Sequence, residues 1–141
     1  MIQRDNNRCG ECRTGALDCA MTKARQELGL LGERIAARWL CRHGWVVVAH
    51  RFRSGHRDID LIVRHQHTVA FVEVKARRGD RFGSPIEAVH VRKQRELARS
   101  ARIWVDRHGT PALTYRFDVF GVLVIGQSVR VRHIPNAFCL S

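Results

Sequence analysis

The sequence predicts a single α/β domain on a mixed central sheet, and three observations carry that prediction. Its 141 residues suit one domain and not two. Two stretches of helical apolar spacing, within residues 22–43 and 84–106, alternate with segments rich in β-branched and aromatic residues. Short turns join the first three of those segments into an antiparallel meander, so the order reads helix, three strands, helix, two strands.

In the first helix, Leu28, Leu31, Ile35 and Trp39 recur at i, i+3, i+7 and i+11, with Ala36 and Leu40 beside them, and Gly44 supplies the stop. Glu33 sits at the edge of that apolar face, where it either points toward the sheet or pairs with Arg34 or Arg38 on the rim. Trp45 to Phe52 reads as the first strand, closed by the turn Ser54-Gly55-His56. Asp58 to Arg64 is the second, with Asp58 and Asp60 expected on one face and Ile59 and Leu61 on the other. His65-Gln66-His67 turns the chain into the third, Val69 to Ala76. Ser84-Pro85-Ile86-Glu87 places Ser at the N-cap, Pro at the first helical position and Glu at the third, a capping box that opens the second helix. That helix is expected to run to about Asp106, with Ile86, Val89, Lys93, Leu97, Ala101 and Trp104 on one stripe. Beyond His108-Gly109-Thr110-Pro111, Tyr115 to Ile125 and Ser128 to Ile134 form the last two strands around Gly126-Gln127. Residues 1–20 have no periodicity and read as a flexible extension of a domain spanning 21–141.

Lys and Arg number 25 against 13 Asp and Glu, for a formal net charge of +12. A surplus of that size favours a polyanionic partner, because each cation placed on a phosphate releases condensed counterions. Nucleic acid is therefore the expected partner, DNA ahead of RNA. A membrane is not, since no Lys/Arg-rich amphipathic helix stands apart from the core pattern. No apolar run approaches the roughly 20 residues that span a bilayer and no secretory signal opens the chain, so a soluble cytoplasmic protein is expected. Only three of the basic residues are lysines, Lys23, Lys75 and Lys93; the arginine bias reads equally well as a habit of the genome. The five cysteines are an odd count. Cys9-x-x-Cys12 with Cys19 offers three thiolates, but a structural zinc site needs four ligands and no second pair follows.

The chemistry concentrates in two strands. Period 2 puts Glu73 and Lys75 on one face of the third strand with Val72 and Val74 opposite. Two ionisable groups on an apolar central strand are costly to bury unless paired, metal-bound or functional. Asp60 on the neighbouring strand brings a second carboxylate near Glu73. Asp60 and Glu73 supply two hard oxygen ligands for Mg²⁺ or Mn²⁺, and Lys75 supplies a fixed ammonium, which are the parts phosphodiester hydrolysis requires. An ordinary cross-strand ion pair among the three is the simpler alternative. Lys93 either reaches the same site across the layer or snorkels to the surface. Asp118 reads as structural, and His65 and His67 as surface residues of a turn.

At these residues the sequence resembles the restriction-endonuclease-like superfamily with the PD-(D/E)xK signature, and more narrowly the uncharacterised bacterial YraN-like family. The resemblance covers most of the chain, roughly residues 28–138. It rests on Gly32-Glu33-x-x-Ala36, Asp58-Ile59-Asp60-Leu61-Ile62 and Phe71-Val72-Glu73-Val74-Lys75-x-Arg77. Lys93, Arg116-Phe117-Asp118-Val119 and His133-Ile134-Pro135-Asn136-Ala137-Phe138 match further. It implies a restriction-endonuclease-like core with Asp60, Glu73 and Lys75 as catalytic positions and Glu33 as an accessory acid. Where the family usually reads Gly-Glu-Ile-Asp, this chain has Arg57-Asp58-Ile59-Asp60, which changes the turn and shortens the first acid. The expected function is a Mg²⁺- or Mn²⁺-dependent endonuclease acting on DNA phosphodiesters, with branched or damaged DNA among the substrates. Arg57, Arg77, Arg78 and Lys93 are expected to hold phosphates, and a dimer is compatible with such chemistry. The alternative is a nucleic-acid-binding module that keeps the scaffold without turnover.

Overall fold

The computed structural model describes residues 12–55, 57–81, 83 and 89–139, with their side chains except those of 12–18 and 57. In chain order the elements are α1 (Cys12–Arg42), β1 (Val46–Ser54), β2 (Arg57–His65), β3 (Thr68–Arg78), α2 (Val91–His108), β4 (Thr114–Ile125) and β5 (Ser128–Phe138). The five strands lie in the sheet in their chain order. β1, β2 and β3 form the expected antiparallel meander, β3 and β4 run parallel with α2 as the crossover, and β5 returns antiparallel to β4. Among the described residues no helix is long and apolar enough to cross a membrane.

One helix covers each face. On one face Leu97 and Trp104 of α2 pack on Ile59, Ile62, Phe71 and Phe117 of the sheet; on the other Leu40 of α1 packs on Leu61, Val63, Val72, Phe120 and Val122. β3 is therefore buried on both sides over Val69–Val72, which explains its nearly continuous apolar composition. The side chains of Glu73 and Lys75 continue the α2-side row of Val69 and Phe71.

Three details depart from the expectations and shape the site. α1 begins at Cys12, ten residues before the expected start, and its packed stripe is Gly32, Glu33, Ala36 and Leu40. Leu31, expected on the apolar face, is exposed. The helix is turned so because Gly32 lets it approach β3 closely: a Cβ at position 32 would lie 2.6 Å from the Ala76 Cβ. α2 begins at Val91 behind an extended His90, later than expected, because Val89 turns into the core ahead of the helix. The capping box at 84–87 lies outside the described residues, as do Cys9 and the side chain of Cys12; Cys19 is exposed and unbridged.

The third departure is in β2. Ile59 packs under α2 and Leu61 under α1, so the two do not share a face as alternation predicts. β1 is irregular nearby: a register shift falls between Val47 and Ala49, opposite Val63 and Ile62, and Arg51, opposite Asp60, is left-handed (φ 53°). Such features bend a strand and re-aim its side chains. Pairing of β2 with β3 stops at Leu61–Val72, and the two strands part beyond it.

Candidate active site

Asp60 sits where β2 leaves β3. Its Oδ2 accepts a hydrogen bond of 2.8 Å from the Val74 N–H, taking the place of the carbonyl that a continuing strand would have offered. The side chain thereby replaces a rung of the ladder and is fixed beside β3. Burial first, and then the negative charge of Glu73, push the Asp60 carboxyl up to about 8 against the opposing Val74 hydrogen bond.

Glu73 is the most enclosed member of the group, with its carboxylate almost inaccessible to solvent. Its Oε1 is 3.3 Å from the Lys75 Nζ and also accepts a hydrogen bond from the Lys93 Nζ, which arrives from α2. Its Oε2 is buried and makes no hydrogen bond. The two ammonium groups respond differently. Burial holds Lys75 below the usual lysine range, with Lys93 adding to the effect and Glu73 opposing it. Burial also works against the charge of Lys93, but Glu73 outweighs it and holds that group above the ordinary value.

The opposite layer contributes Glu33, buried in α1 and aimed at the sheet. Its partners are not Arg34 or Arg38 but two residues of β1: the Arg51 Nε donates to Oε2 at 3.0 Å, and the His50 Nε2 lies 3.1 Å from the same oxygen. Arg51 falls between the paired positions His50–Leu61 and Phe52–Ile59, opposite Asp60. Its left-handed backbone costs on the order of 1 kcal/mol for a non-glycine residue, offset here by the contact with a buried carboxylate.

This donor set suits a hard divalent cation. Two carboxylates lie close enough for one to raise the proton affinity of the other, and an enclosed Glu73 oxygen lacks any hydrogen bond. Among the described residues no cluster of three or more His, Cys, Asp or Glu side chains forms. Asp60 and Glu73 would thus be the side chains that hold it, in keeping with Mg²⁺, which usually keeps several waters and takes one or two carboxylates.

A family model described as an uncharacterised protein family, UPF0102, matches residues 32–122, a stretch that contains Glu33, His50, Arg51, Asp60, Glu73, Lys75 and Lys93. The chain belongs to UPF0102. It is 39% identical over 121 residues to a UPF0102 protein of Trichlorobacter lovleyi, covering 84% of this chain and 95% of that one. A UPF0102 protein of Nocardia farcinica is 41% identical over 115 residues (81% and 91% of the two chains), and one of Chlorobium chlorochromatii 41% over 118 (79% and 91%). This is the YraN-like family that the sequence resembles.

Within this UPF0102 fold Asp60, Glu73, Lys75 and Lys93 come together at one point, with Glu33 behind them across the β1–β2 irregularity. Asp58 does not join; it pairs with Arg53 at the surface. Arg77 and Arg78 are exposed at the end of β3, on opposite faces by alternation, and the side chain of Arg57 lies outside the described residues. Sequence reasoning passed over His50 and Arg51, whose only signal is two polar residues in succession within an apolar strand. Asp118, read from the sequence as structural, is fully buried; it accepts from the Arg116 Nε at 2.9 Å and Nη2 at 3.0 Å, from the Asn136 N–H at 3.0 Å, and lies 2.7 Å from the His133 Nε2.

Proposed function

We propose that this chain is a metal-dependent endonuclease that hydrolyses DNA phosphodiesters. The observation that carries the reading is the convergence of Asp60, Glu73 and Lys75 where β2 parts from β3, in a chain of net charge +12. When bound between the two carboxylates, Mg²⁺ or Mn²⁺ would polarise the phosphate and acidify a coordinated water. Lys75, partly exposed and 3.3 Å from Glu73, orients the attacking water and offsets the charge that develops on the phosphate. Hydrolysis forms one bond from the water oxygen to phosphorus and breaks one to a sugar oxygen; the water's proton passes to solvent and the leaving oxygen gains one. Lys93 anchors Glu73 from α2, and Glu33 holds Arg51 opposite Asp60. Likeness to the PD-(D/E)xK signature supports the same reading.

A cleavage screen over single-stranded, duplex, flap and four-way-junction DNA with Mg²⁺ or Mn²⁺ tests it. The expected result is metal-dependent cutting of at least one substrate, lost in Asp60→Ala and Lys75→Ala. No cutting by the wild type, or equal cutting by the variants, overturns it. One observation favours a second reading, a DNA-binding module without turnover: the Lys93 ammonium already neutralises Glu73 internally. That reading requires salt-sensitive binding without divalent metal and indifference to Glu73→Ala.

A further inference from the structure

Beside Lys75 the sheet carries a recess. Four β4 positions line up on the α2 side, Phe117, Val119, Gly121 and Leu123, by alternation from the two that pack under α2. Gly121 lies in register with Lys75 and Leu123 with Arg77, so the row of β4 side chains is interrupted opposite the lysine. The resulting hollow is shallow, with enclosed room for about one water molecule, and opens to solvent; Gly121, Val122 and Leu123 floor it, and Lys75, Arg77, Arg81 and Gly83 wall it. A glycine inside a strand often marks a place where a ligand or another backbone comes close.

Three of the wall residues are cations, and none of the walls is acidic. Lys75 reaches back to Glu73, but among the described residues no carboxylate lies within ion-pair distance of Arg77 or Arg81. The backbone at Gly83 packs against the Arg77 guanidinium: a Cβ there would lie 2.9 Å from its Nη1. That contact limits the directions in which Arg77 swings. Lys75 borders both this hollow and the carboxylate pair, and Arg77 follows two residues on, roughly 6.7 Å along the strand, of the order of one sugar-phosphate repeat.

We propose that the mouth of this recess binds one internal phosphodiester of a nucleic-acid backbone, next to the phosphate that faces Asp60 and Glu73, with the exposed Arg77 and Arg81 as its ligands. The assignment rests on the nucleic-acid reading for the source of the phosphate. A planar guanidinium suits paired phosphate oxygens, and two of them around one hollow set the register of the strand relative to Lys75.

Equilibrium binding of a short fluorescein-labelled duplex, measured by anisotropy in chelator to prevent cutting, separates the possibilities. The full chain is compared with Arg77→Gln/Arg81→Gln and with Arg95→Gln/Arg99→Gln, which removes the same charge from exposed positions of α2. All four residues are exposed, so folding is not at stake. The recess variant is expected to bind about tenfold or more weakly, with the slope of log affinity against log salt reduced by about 0.9 for one lost phosphate contact; the α2 variant should lose less than about threefold. Covalently closed circular DNA, which has no terminal phosphate, should show the same loss. Equal losses in the recess and α2 variants overturn the assignment and leave only diffuse charge. A loss confined to linear DNA with 5′-phosphate ends overturns the internal phosphodiester in favour of an end. Absence of salt-sensitive binding by the wild type itself would mark the failure of the nucleic-acid reading, whatever the variants do.

Discussion

Asp118 is wholly enclosed, yet its carboxyl is held below the usual carboxylate range, because His133, Arg116 and the Asn136 N–H outweigh the cost of burial. A carboxyl whose folded pKa is depressed contributes stability that is present above its unfolded pKa, near 4, and is lost as pH falls through the lower folded value. Removing it leaves Arg116 and His133 facing a void. Asp118→Ala is accordingly expected to cost about 3 kcal/mol, read as a fall in thermal midpoint on the order of 10 °C at pH 7 that shrinks in acid. Asp60 has the opposite sign. Its folded pKa is pushed up to about 8, so in metal-free protein its contribution to stability is intact below about pH 4 and is lost progressively as pH rises toward 8. Asp60→Asn keeps an oxygen for the Val74 N–H and removes the charge. In chelator it is expected to melt at a higher temperature than the wild type at pH 8, with the difference vanishing near pH 4; a lower melting temperature at pH 8 would count against the burial of charge described here.

At the scale of elements, the position of Glu33 depends on how closely α1 lies on β3. Gly32 and Ala76 meet with no room for another methyl, so Gly32→Ala forces the helix outward by an amount that overpacked cores resist at about 1–3 kcal/mol. The helix would carry Glu33 away from Arg51 and His50 as it moves. Restoring space from the strand side tests this directly: Ala76→Gly in the Gly32→Ala background is expected to recover most of the lost stability, whereas Ala76→Gly in the wild type should be mildly destabilising. Additive effects in the double variant would mean that the contact is not shared. The β1–β2 irregularity serves the same site from the other side. Arg51 in its left-handed conformation reaches Glu33, and the changeover between Ile59 and Leu61 leaves Asp60 at the parting of β2 and β3. Glu33→Ala should therefore release Arg51 and His50 and lower the thermal midpoint more than Glu27→Ala, a substitution on the exposed part of the same helix.

For the molecule as a whole, the antiparallel meander of the first three strands and the shared face of Glu73 and Lys75 were legible because they follow from turn length and from the period of 2. Positions governed by local departures from periodicity were not. Ile59 and Leu61 fall on different faces through a strand irregularity that leaves no mark in composition, and the same irregularity hides the approach of His50 and Arg51 to Glu33. The inward turn of α1 was missed because Gly32 packs by lacking a side chain, while Leu31, the more apolar neighbour, lies outside. The +12 charge suited a polyanion from the start; the fold adds that some of it is local, with Lys75, Arg77 and Arg81 around one shallow hollow. DNA affinity should fall steeply with salt, and a flat salt response would remove the role assigned to that charge. The central claim, that the Asp60–Glu73 pair serves DNA cleavage, is tested most directly by nicking of supercoiled plasmid with Mg²⁺ or Mn²⁺, wild type beside Asp60→Asn, a variant expected to be no less stable. The predicted result is nicking by the wild type that needs the metal and falls at least about 100-fold in the variant. Nicking that is equal in the two proteins, or absent from the wild type with both metals, would contradict it.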